Sequence, residues 1–144
     1  MPEKETLERA RKDKREGKAP STQAGEFVKE EIEHIREGKH GARSTKQAIA
    51  IGLAKARRAG VELPPSEGSS EETKEQARRD LRKGKSGKKT STKRSRASRK
   101  ALKKEGRKAA SKEALSTQAR KAAKKRSAAS RSRSAKKAAK TRKK

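Results

Sequence analysis

The stretch STKQAIAIGLAKARRAG, Ser44 to Gly60, decides how the chain folds. Ser44 with Gln47 makes a capping box, in which the hydroxyl accepts an amide at a helix start and the Gln side chain reaches back. Ala48, Ile49, Gly52, Leu53 and Ala56 follow at the spacing that lines one helical face. Gly60 stands where a helix-ending glycine belongs, with Val61 as its hydrophobic follower, and Leu63-Pro64-Pro65 closes the unit. Upstream, Ser21 or Thr22 can cap another helix, and Glu26 adds charge near its start. Val28, Ile32 and Ile35 recur at i, i+4 and i+7 beside Phe27, and Gly38 supplies a stop. With a loop at residues 38–43, the pattern predicts a helical hairpin over residues 21–65.

Ile51 does not fit that hairpin's inner face. With Ala48 and Ala59 it forms a second small apolar seam, read either as a lone exposed Ile or as a self-association face giving a homodimer. Residues 1–20 form a charged N-terminal helix or arm, solvent-exposed because Leu7 and Ala10 are its main apolar side chains. Residues 66–83 read as a linker and a marginal helix. Ser69 with Glu72 offers a capping box there, and Gly84 a stop.

Charge separates the two halves. Residues 66–144 hold thirty-one basic and seven acidic side chains, and dominate the net charge of +28. The last part, Ala114–Lys144, has no acid at all. Hydrophobic content of 26% with that charge is the composition of chains that stay unfolded alone. The expected fold is therefore mostly α with a large disordered fraction: a small hairpin, then a long basic tail over residues 84–144. Residues 97–115 and 117–129 are prone to partial helix once their charges are neutralised.

Such a polycation implies a polyanionic partner, most readily nucleic acid. The tail cations expected to meet phosphates begin with Lys88, Lys89, Lys93, Arg94, Arg96, Arg99 and Lys100. They continue through Lys103, Lys104, Arg107, Lys108, Arg120, Lys121, Lys124, Lys125 and Arg126. Arg131, Arg133, Lys136, Lys137, Lys140, Arg142, Lys143 and Lys144 complete them. Arg43, Lys46, Lys55, Arg57 and Arg58 flank the second hairpin helix as auxiliary phosphate contacts. The chain has no Asn, so the pattern carries little base code.

Other chemistries are disfavoured. Cysteine, Trp and Tyr are absent and Phe occurs once, which leaves no thiol chemistry and no aromatic base-stacking platform. No apolar run resembles a membrane span or signal peptide, and the expected setting is cytoplasmic, at a bacterial nucleoid. His34 and His40 match no zinc-ligand spacing and read as solvent-facing or loop histidines, so neither metal nor cofactor is expected. The fragment at 84–86 resembles a P-loop ending, but Arg79 stands where the first glycine is needed. No nucleophile–base pair is visible, and an enzyme is not expected.

Residues 44–60 resemble a family of small basic bacterial proteins of unknown function, often labelled DNA-binding. Their motif reads S-[TR]-K-Q-A-I-A-I-[GA]-L-x-x-A-R. The C-terminus is similar in composition to linker-histone-like tails, without the winged-helix domain. The basic tail, together with these resemblances, points to a non-enzymatic, largely sequence-independent binder of duplex DNA, nucleoid-associated and histone-like. The alternatives are an RNA- or ribosome-associated basic protein and an adaptor that captures a protein partner through the hairpin.

Overall fold

A computed structural model describes residues 2–66 and 68–143. Its elements are α1 (Lys4–Arg15), α2 (Pro20–Arg36), α3 (Thr45–Arg58), α4 (Glu71–Ser86), α5 (Thr92–Lys103), a 3-10 turn (Lys108–Ala110), α6 (Lys112–Lys125) and α7 (Ala128–Arg142). The hairpin is α2 and α3. They run antiparallel, since early α2 (Ala24, Phe27) packs with Ala56 and late α2 (Ile32, Ile35) with Ala48.

Local chemistry sets the hairpin's ends. The Ser44 hydroxyl accepts the Gln47 N–H at 3.2 Å, while the Gln47 side-chain Oε1 accepts the Arg43 N–H at 2.6 Å, one residue earlier than in a capping box. Gly60 adopts φ 101°, a conformation open to glycine. Around it the Val61 N–H reaches Ala56 O at 3.0 Å and the Gly60 N–H reaches Arg57 O at 3.1 Å, the paired bonds of a Schellman end. The expected Ser21 or Thr22 cap does not form. Pro20 opens α2 instead, where a missing N–H costs nothing.

The large disordered fraction is overturned. The basic half is helical, and part of it completes the core. Ala109 and Ala110 are buried against Ile32, Ile35, Ala42 and Ala48, with Leu115 beside them. Gly41 N–H donates to Leu102 O at 2.9 Å and Ala42 N–H to Gly106 O at 3.1 Å. The Thr45 hydroxyl and the Arg36 Nε donate to the carbonyls of Ala109 (2.7 Å) and Ala110 (2.9 Å). A tail counted only by its charge loses this segment, because two alanines bury little area yet fit where larger residues would not. The expected helix over 97–115 is accordingly interrupted between Lys103 and Lys112, where the chain turns into the core.

Two flanking helices also pack more closely than composition suggests. In α1, Thr6, Ala10 and Asp13 are buried, Ala10 against Ala24 and Phe27 of α2, and Arg9 Nε meets Glu26 Oε2 at 2.6 Å, so α1 is not a free arm. The α4 cap is Ser70, with Thr73 N–H on its hydroxyl at 3.3 Å, rather than Ser69. Gly84 does not end α4; it lies inside the helix and against the backbone of Arg57 and Arg58, and Gly87 in the left-handed region ends it.

Candidate nucleic-acid interface

The candidate interface is built on three helices that take little part in the core, Leu115 of α6 being the side chain that packs against it. α5, α6 and α7 contain no buried residue. Their strength is local. Ser111 accepts the Ala114 N–H at 3.1 Å and Ser127 the Ser130 N–H at 3.1 Å, capping α6 and α7. Lys, Arg and Ala carry high helix propensity, and each of the three helices ends in Lys or Arg, which its negative pole favours. These terms explain why the segments are helical although their apolar stripe is mostly Ala.

Seventeen Lys and Arg side chains lie on these helices against one acid, Glu113. All seventeen are exposed, and among the described residues none forms an ion pair. On α5, Lys93, Arg96, Lys100 and Lys103 share one face; on α7, Arg133, Lys136, Lys137 and Lys140 do. Arg126 donates to the Ser130 and Ser134 hydroxyls, and so bridges the junction of α6 and α7. Lys88, Lys89, Lys104, Arg107, Lys108 and Lys143 are exposed outside these three helices, and Lys144 lies outside the described residues. The structure adds two cations that charge counting alone left out of the tail set. Arg36 and Lys112 join Arg107 and Ser111 around a shallow notch at the start of α6.

The auxiliary set divides. Arg43 and Lys46 are exposed. Lys55 instead pairs with the fully buried Glu31, and Arg58 Nε with the buried Asp80 at 2.9 Å. Arg57 Nε donates to Leu63 O at 2.9 Å, and burial pushes its pKa below the ordinary arginine value. These three hold α3 to its neighbours. The proposed Ala48–Ile51–Ala59 seam also breaks up: Ala48 is wholly buried in the hairpin core, Ile51 is half-buried and Ala59 exposed.

The histidines are not solvent-facing. His34 on α2 and His40 in the following loop retain 14% and 11% side-chain exposure, and their rings stand edge to face with centroids 6.1 Å apart. The turn after α2 folds His40 back over the helix, a closure that sequence spacing did not disclose. No described helix is long and apolar enough to cross a membrane.

Residues 4–67 match the model of a family of unknown function (DUF6496), a span that covers α1 to α3 and contains the Ser44–Gly60 stretch. No curated protein and no solved structure matches the chain.

Proposed function

We propose that the chain is a non-enzymatic nucleic-acid-binding protein, directed chiefly at duplex DNA and largely indifferent to sequence. The observation that carries this reading is the set of seventeen exposed, unpaired cations on α5, α6 and α7. α5 places six cations along twelve residues, about 18 Å of helix. That is roughly one charge per 3 Å, close to the ~3.4 Å between charges on one strand of a duplex. Helices formed before binding also lose less conformational freedom on contact than a flexible tail does. The exposed side chains supply phosphate contacts but no paired amides to read bases, which favours a nucleoid-associated, histone-like role over operator recognition.

The test is binding of the full chain to several duplex DNAs of unrelated sequence, with duplex RNA as a parallel arm. Affinities equal within a few-fold across the DNAs, and higher than for RNA, support the reading. Preference for RNA assigns the protein to RNA instead, and absence of binding at low salt refutes both.

A further inference from the structure

A cluster of donor atoms at the hairpin's loop end has no part in phosphate binding. We propose that Glu31, His34 and His40 form a site for a divalent transition-metal ion of the zinc type. One donor atom from each of the three lies within 4.8 Å of the others. Glu31 is fully buried, and its Oε2 has no hydrogen-bond partner, while Lys55 engages Oε1. His40 Nε2 is 3.1 Å from that unpartnered oxygen. Zinc bonds of about 2.0–2.2 Å put neighbouring ligand atoms of a tetrahedral ion about 3.3–3.5 Å apart. The observed separation is close to that edge.

The tautomers follow from the remaining partners. His40 Nδ1 faces the Gly41 carbonyl at 2.9 Å, and His34 Nε2 faces Glu3 Oε1 at 3.0 Å. Carbonyl and carboxylate oxygens only accept, so each of these nitrogens carries the proton. That leaves the lone pairs of His40 Nε2 and His34 Nδ1 free, the arrangement in which groups behind a ligating histidine fix its free nitrogen. Without a cation, the His40 lone pair would face the Glu31 carboxylate in a buried space. A proton on His40 Nε2 is the alternative, but the pair does not meet hydrogen-bond geometry despite its short separation. An ion between the donors satisfies both atoms. It would also pin the loop whose next residue, Gly41, holds the basic half through Leu102.

The chain has only these two histidines, so their imidazole NMR signals report the site directly. One equivalent of zinc chloride added to the metal-free full chain should shift both sets of ring signals and raise the melting temperature. Cobalt(II) should give the intense visible bands of a tetrahedral site. His40→Ala and His34→Ala, checked for unchanged helicity, should each weaken zinc binding about 10-fold or more, since losing even a group behind a ligand costs that much. Ring signals that ignore zinc overturn the proposal, and that readout needs no variant to fold. Equal zinc affinity in folded His variants overturns it too. So does a His40 ring that remains doubly protonated at neutral pH with zinc in excess, which would make the cluster an ion pair only.

Discussion

Gly41→Ala tests whether the basic half is docked on the hairpin. A Cβ at position 41 would lie 2.5 Å from the Gly106 carbonyl oxygen and nearer still to the Glu105 carbonyl. Those are backbone atoms, so no rotamer change relieves the overlap and the two loops must separate. Separation gives up the Gly41–Leu102 and Ala42–Gly106 hydrogen bonds, and pulls on those from Thr45 and Arg36 to Ala109 and Ala110. At about 0.5–1.5 kcal/mol net per bond, losing the first two costs about 1–3 kcal/mol and losing all four about 2–6 kcal/mol. Gly106→Ala is the matched control, because a Cβ there meets nothing within 4 Å; it should stay within about 0.5 kcal/mol of the parent. The assay is urea unfolding of the full chain, with hydrogen exchange at the amides of residues 41 and 42. Both variants within about 0.5 kcal/mol of the parent, with those amides still protected, would refute the docking.

Three further outcomes follow from named contacts. Gly52→Ala should destabilise by about 1 kcal/mol in thermal unfolding: a Cβ would sit 2.7 Å from Val28 Cα, and overpacking of about 1–3 kcal/mol exceeds the helix-propensity gain of about 1 kcal/mol. Arg58→Ala should cost about 1–3 kcal/mol, because Asp80, 1% exposed, keeps only long 3.4 Å contacts from the Gln76 amide to its two oxygens; adding Asp80→Leu should recover part of the loss in a denaturation cycle. The His34 hydrogen bond, aided by Lys39, holds the Glu3 carboxyl below its ordinary pKa. A carboxyl depressed by folding contributes its stability fully above the unfolded pKa and loses it as pH falls through the folded one. A carboxyl NMR titration should therefore place the Glu3 midpoint below that of the exposed glutamates, and His34→Ala should bring it back up.

What the sequence disclosed divides by the range of the interaction. Gly38, Ser44 and Gly60 act on their own helix ends, and their roles are legible because capping chemistry is local. Asp80–Arg58 and Glu31–Lys55 join separate helices, and nothing in their spacing marks them as buried pairs. Sequence pattern makes Gly41 a loop residue and Gly84 a stop, yet each is needed where another backbone passes close by. Ala109 and Ala110 were hidden by the cations around them, since charge density argued for repulsion while their small size suited a tight seam. For the candidate interface, the tail cations were legible as exposed charge. Lys55, Arg57 and Arg58 were not distinguishable from them until their partners were placed.

If the cations on the exposed helices bind phosphate backbone by charge, binding to random-sequence duplex DNA must weaken steeply with salt. The full chain is compared with a variant carrying Arg133→Gln, Lys136→Gln, Lys137→Gln and Lys140→Gln. These four share one face of α7, which buries nothing, and Gln keeps nearly the same helix propensity. With a slope of about −0.9 per phosphate contact, the variant's log–log slope should be shallower by about 3–4. An unchanged slope and affinity in a variant of unchanged helicity would contradict it.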